Sequence, residues 1–214
     1  MREGAIVLGM RRSGSTLAFN LVRELLTKEL ENGILRTTYA DGGAADRFVE
    51  TARRTSSAFV LKTHASGPLV DTLIAAGRVG SIYTWRDPRD AIVSQMNFLK
   101  STFTEAMDMV TTSLFQFEQS WSRYCLEIPY LELYPLTSTL IYNIANYLDI
   151  PCSGELVNRL INQYCQRQCA ILRAGLQISR MNLIFAIWIA RYRARNCGTR
   201  RMYKTVKISY GSKI

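Results

Sequence analysis

Over the first hundred residues, short apolar runs alternate with helix-periodic segments, and no other feature constrains the fold so much. AIVLG (5–9), AFVLKTH (58–64) and GSIYTW (80–85) each pass through turn residues into a stretch with helical spacing. A short, continuous apolar run is what a strand covered on both faces looks like. Strands separated by helices need crossover connections, and these make neighbouring strands parallel. The pattern predicts an α/β architecture, a parallel sheet flanked by helices in three layers.

The helices carry their own punctuation. TLAFNLVRELLTKEL repeats Leu17, Leu21, Val22 and Leu25 at helical spacing. SGPLVDTLIAAG reads as a helix capped by Ser66, with Pro68 in its first turn and Gly77 at its end. DPRDAIVSQMNFL reads as another, with Asp87 as N-cap and Pro88 at the first helical position. ILRTTY (34–39) is a candidate second strand, and DGGAADRFVETARRTS a loop running into a polar helix. Residues 103–124 read as helical, and YLELY (130–134) as a further strand. LTSTLIYNIANYLDI is an amphipathic helix with Leu140, Ile144, Tyr147 and Leu148 on one face, and helical spacing continues to about Leu176.

Charge divides the chain unevenly. The net charge is +10, yet residues 1–155 carry −2, and the remaining 59 carry +12 without one acidic residue. This suggests a core over 1–155 and a basic tail over 156–214, helical or irregular, within one domain. Such a balance points to an anionic partner: a phosphorylated cofactor, nucleic acid or anionic membrane. Five cysteines and no visible secretory leader suggest reduced thiols and a cytoplasmic setting. Cys165 and Cys169 are four apart on a helical segment, but no second pair or nearby His completes a metal site, so small buried residues are the simpler reading. NLIFAIWIA (182–190) is far shorter than the roughly 20 residues of a spanning helix. It suits a buried helix or strand, or an interfacial segment.

Three segments carry chemistry. GMRRSGST joins the first strand to the first helix, where backbone N–H groups and the positive end of a helix dipole can hold an anion. Alone, it is equally a solvated turn before a capped helix. A nucleotide triphosphatase would place Lys and then Ser or Thr at the end of this loop, whereas here the cation, Arg12, stands at its front. In YTWRDPRDAIVS, Arg86 at a strand end and Ser94 two helical turns further on could converge on a second anion, or Arg86 and Asp87 merely flank a helix start. Between them lies KTH, with Lys62 and the chain's only histidine, His64, which in isolation reads as a structural imidazole.

Taken together and in this order, these motifs resemble the sulfotransferase family, over residues 5–100 and more faintly over 130–150. The resemblance implies a P-loop-like sandwich that takes a sulfuryl group from 3′-phosphoadenosine 5′-phosphosulfate (PAPS) and releases 3′-phosphoadenosine 5′-phosphate (PAP). Position by position it assigns Arg12, Ser13, Gly14, Ser15 and Thr16 to the 5′-phosphosulfate, and Arg86 with Ser94 to the 3′-phosphate. It makes His64 the general base for an acceptor hydroxyl or amine, Lys62 the cation beside the transferring group, and Arg12 its catalytic companion. No metal is required.

The chain departs from the family pattern at Leu17, where many members carry an aromatic residue that stacks on adenine, and at Pro135 and Leu136, where acidic residues are usual. Tyr134 could supply stacking. The family's late basic lid has only a degenerate counterpart in NCGTRRMYK. The acceptor, a small molecule, lipid or glycan, is not specified by these motifs, nor is the oligomeric state. An alternative is a catalytically impaired nucleotide-binding module whose basic tail contacts nucleic acid or anionic membrane. A P-loop kinase shares the loop but gives no reason for the second anion site.

Overall fold

A computed structural model describes residues 2–30, 33–120 and 124–174. Its centre is strand β1 (Gly4–Gly9), all six residues of which are buried. β3 (Ala58–Thr63) lies on one side and β4 (Gly80–Trp85) on the other, so that Leu8 stands beside both Thr63 and Tyr83. β2 (Leu35–Tyr39) and β5 (Leu126–Pro129) complete a parallel sheet of order β2-β3-β1-β4-β5. The sequence of β2, LRTTY, is the most polar of the five and remains partly exposed, as suits an edge.

Alternate residues of the inner strands face opposite layers. Ala5, Val7, Val60 and Ile82 join one core with Leu17, Leu21 and Leu25 of α1 (Ser15–Glu29), Leu140 and Ile144 of α7 (Ser138–Tyr147), and Leu156 and Leu160 of α8 (Gly154–Ala174). On the other face Phe59 meets Phe48 of α2 (Gly43–Arg54) edge-on at 6.2 Å, and Tyr83 stacks on Phe117 of α5 (Phe103–Ser120) at 3.6 Å. α3 (Pro68–Ala75) and α4 (Pro88–Leu99) follow β3 and β4. The flanked parallel sheet expected from the sequence is the one observed.

Two local expectations are corrected. YLELY is not a strand: β5 uses the preceding LEIP, paired from Ile82↔Leu126 to Trp85↔Pro129, and Tyr130–Leu133 forms the short helix α6. A four- or five-residue apolar run does not distinguish the two periods, and Pro129 stops the ladder while permitting a helical start. Ser66 is not the cap of α3 either. Gly67 holds that position without a side-chain bond, Ser66 Oγ donates instead to Asp71, and Asp46 of α2 accepts from the amides of Leu69 (3.3 Å) and Val70 (3.0 Å). Asp87 does cap α4, accepting from the Arg89 amide at 2.9 Å, with Pro88 beside it.

The described residues form one unit, Met1–Ala174. Glu155 lies in the first turn of α8, and the residues just after it, Leu156, Val157, Leu160 and Tyr164, are buried in the core. The apolar stretch 182–190 and the basic segment NCGTRRMYK lie outside the described residues. Cys125 and Cys152 are free thiols, and burial pushes Cys125 up to about 11. Among the described residues no helix is long and apolar enough to cross a membrane.

Leu21 is fully buried between α1 and the sheet. Leu21→Ala is expected to lower stability by about 2–5 kcal/mol, through lost burial and the cavity left behind, read as a shifted urea midpoint at unchanged slope.

Candidate active site

The carboxyl ends of β1, β3 and β4 lie side by side, so the loops that follow them share one edge of the sheet, where ligands of open α/β sheets bind. β1 ends in Gly9. A Cβ there would fall 2.6 Å from Ser15 Cβ and 2.7 Å from Thr84 Oγ1, so any larger residue would hold the loop away from β4. Ser13 fastens the turn: its buried hydroxyl donates to the Met10 carbonyl at 2.6 Å, and it lies within hydrogen-bond distance of Thr84 Oγ1, also at 2.6 Å. Arg12 (φ 65°) and Gly14 (φ 87°) are both left-handed, a curvature that turns successive N–H groups toward one concavity. α1 begins there with no side-chain cap and no acidic residue in its first turn.

Arg12 Nε donates to Ser94 Oγ at 3.0 Å, and its guanidinium lies 4.3 Å from the Phe98 ring centre. Arg86 lies 4.2 Å over Tyr130 and 3.7 Å from Asp90, while its Nε is buried without a hydrogen-bond partner among the described residues. Lys62 Nζ donates to Thr16 Oγ1 at 3.0 Å and stands 4.8 Å over Tyr39. The Arg12–Ser94 bond joins the loop to α4, so the two candidate anion sites read separately in the sequence share one basic floor.

Burial lowers the Arg12 pKa, and the Arg86 charge lowers it further. Burial also lowers Lys62, with Arg12 and Arg11 acting in the same direction against Asp41. Cations gathered this closely, with a buried donor unspent, suit an anion of more than one charge. Among the described residues no cluster of His, Cys, Asp or Glu could hold a metal ion.

His64 follows directly on β3, and its Nδ1 lies 2.6 Å from the Gly9 carbonyl. A carbonyl only accepts, so Nδ1 carries the proton and Nε2 keeps its lone pair. Burial lowers the imidazole pKa, the Gly9 bond opposes this, and Lys62 and Arg11 lower it again. Lowering the imidazole below its ordinary 6.5 favours the neutral ring at pH 7.

Sequence reasoning missed several contributors. Thr84, Phe98 and Tyr130 hold Ser13, Arg12 and Arg86. Asp41 accepts from the His64 amide at 2.7 Å, the Thr63 hydroxyl at 3.0 Å, the Ala65 amide at 3.2 Å and the Tyr39 hydroxyl at 2.9 Å. Asp41 had a signal, as an acid just past the carboxyl end of a predicted strand. The aromatics had none, since a cation's ring partner is set by tertiary packing. Tyr134 packs on Tyr130 with ring centres 4.6 Å apart, and both border Gly14.

The profile of the sulfotransferase domain matches residues 2–168. The chain belongs to the sulfotransferase family. No curated protein sequence matches it. Among solved structures, the sulfotransferase fold seen here is similar to retinol dehydratase in complex with androsterone and inactive cofactor PAP, with TM-score 0.55 and 18% identity over 78% of this chain and 66% of that one. Retinol dehydratase in a complex with retinol and PAP gives TM-score 0.56 at the same identity and coverage. The mouse sulfotransferase SULT7A1 complexed with PAP gives 0.55 at 13% identity, over 85% of this chain and 70% of that one. The chain thus spans just under two thirds of the length of retinol dehydratase, and at these identities the likeness is one of fold.

The single histidine makes the sulfotransferase site directly observable. Its proton NMR titration is expected to have a midpoint below the ordinary 6.5 of imidazole. Because the unfolded chain then takes up the proton first, the His64 contribution to stability is complete above about 6.5 and is lost as pH falls toward the folded midpoint.

Proposed function

We propose that this protein is a PAPS-dependent sulfotransferase that sulfates a hydroxyl or amine of a small-molecule, lipid or glycan acceptor, with His64 as the general base. The observation that carries the reading is the combination, on one sheet edge, of a basic floor with an imidazole whose proton is fixed on Nδ1. Retinol and androsterone, bound by the structural relatives, are the first acceptors to try.

In this reading Arg12, Ser13, Gly14, Ser15 and Thr16 hold the 5′ phosphosulfate, and Arg86 and Ser94 hold the 3′-phosphate. PAPS supplies the activated sulfuryl group. His64 Nε2 takes the proton from the acceptor oxygen or nitrogen as it attacks sulfur, and Nδ1 remains bonded to Gly9. Lys62 and Arg12 stabilise the negative charge that develops toward the leaving phosphate. Asp41, ionised because hydrogen bonds from His64, Tyr39, Thr63 and Ala65 outweigh its burial, stabilises the imidazolium formed when His64 has the proton. A cytoplasmic setting belongs to the same proposal, supported by the free thiols Cys125 and Cys152.

Calorimetry tests the cofactor half. PAP is expected to bind in the micromolar range, well ahead of 5′-AMP or of ATP with Mg²⁺, and Arg86→Ala is expected to reduce that affinity at least tenfold. Equal binding of PAP and AMP would sink the enzyme reading. It would leave a nucleotide-binding module whose basic tail needs another anionic partner.

The catalytic half is tested with His64→Ala. It is expected to lower kcat by about 10²–10⁴-fold, the range for general base catalysis, while PAP affinity stays close to wild type. The wild-type pH–rate profile is expected to lose activity on the acid side with an apparent pKa below 6.5.

A further inference from the structure

The end of β3 has an accounting problem. Its neighbour β2 stops at Tyr39, beside Lys62, so the backbone donors of His64 and Ala65 lie beyond the ladder. The segment that follows β2 closes the gap. Ala40 N donates to the Lys62 carbonyl at 3.1 Å and Gly42 N to the Ala65 carbonyl at 2.7 Å. Between them one oxygen of Asp41, Oδ1, accepts from the His64 amide, the Ala65 amide and the Thr63 hydroxyl. The other oxygen, Oδ2, accepts from Tyr39, whose ring stands edge-on to the imidazole at 5.7 Å. Five residues further on, Asp46 takes the first amides of α3. Residues 40–46 therefore grip both ends of the loop that carries the imidazole.

We infer that Asp41 is the positioning residue for His64: its carboxylate substitutes for the missing strand partner and fixes the backbone from which the imidazole reaches the Gly9 carbonyl. This inference rests on the reading of His64 as the general base. The bond from Nδ1 to Gly9 spans two different strands, so it survives only while the backbone at residue 64 keeps its height relative to β1. Asp41 supplies that constraint and, through Tyr39, holds the aromatic edge beside the ring. Asp41 reaches the reacting atoms only through His64. The charges that act on the imidazole are those of Lys62, Arg11 and Asp41 itself.

The test uses the full chain, labelled with ¹⁵N, in which one histidine gives one set of imidazole signals. Wild type is expected to show the Nδ1–H tautomer alone. In Asp41→Ala the two nitrogen shifts are expected to move toward the averaged values of a free imidazole. Turnover is expected to fall roughly 10²-fold, the penalty of a misplaced catalytic group, while PAP affinity stays within about threefold. A folded Asp41→Ala protein with an unaltered tautomer and turnover overturns the inference.

Asp41→Asn keeps the test decisive if the alanine variant does not fold. It retains an oxygen for the three donors but loses the charge and the oxygen that accepts from Tyr39, so it should keep the tautomer and titrate below wild type. A folded asparagine variant that loses the Nδ1–H tautomer also overturns the inference, since the oxygen said to hold the backbone is still there. The spectra need neither cofactor nor acceptor, so a wild-type chain that fails to bind PAP counts against the proposed function and leaves the Asp41 result to stand or fall separately.

Discussion

The close approach at Gly9 is the constraint on which this structure depends. There the central strand ends, the loop at residues 10–14 turns back against β4, and the imidazole of His64, just past β3, finds its acceptor. All three turn on the side chain Gly9 lacks or on its buried carbonyl. β1 can offer that carbonyl because its six residues are buried and paired on both sides, leaving its end nowhere to move. The hydrophobic layers thus determine the chemistry indirectly, by holding one backbone atom still.

The basic floor has the opposite character. Arg12, Arg86 and Lys62 are placed near one another against their mutual repulsion, and burial adds to the strain, as the lowered pKa of Arg12 and Lys62 records. Ring faces and hydroxyls hold them: Phe98, Tyr130 and Tyr39 beneath, Ser94 and Thr16 beside. These neighbours orient the cations with little neutralisation: among the described residues Arg86 is paired with Asp90 at 3.7 Å, and Lys62 feels the charge of Asp41. A ligand with two anionic ends would relieve the repulsion and stabilise the folded chain by mass action.

Much of this was legible in the sequence because it depends on local chemistry. The strand runs, the Asp87–Pro88 helix start and the glycine loop are properties of a few adjacent residues, and so is the spacing of Arg86 from Ser94. What escaped depends on distant parts of the chain. The ring under each cation, the pairing of Ser13 with Thr84 across 71 positions, and the capping of α3 by Asp46 are consequences of packing. The segment at 126–134 failed differently: LEIP and YLEL are too short for their periods to be told apart, and strand pairing with β4 made the choice. Arg12 and Ser94 were each singled out, yet their bond to one another was not, since a spacing rule treats the two junctions as independent.

The helix starts along this edge of the sheet differ in a way that limits where an anion can settle. α3 begins against the carboxylate of Asp46, and α4 begins at Asp87 with Asp90 in its first turn. α1 begins with neither cap nor acid. The starts of α3 and α4 are thus already answered by the protein's own negative charge, as is that of α2, which carries Asp46 in its first turn. The unanswered one makes the crevice directional. A molecule with unlike anionic groups would meet the open start of α1 at one side and the unspent donor of Arg86 at the other, an asymmetry that would favour one orientation over its reverse.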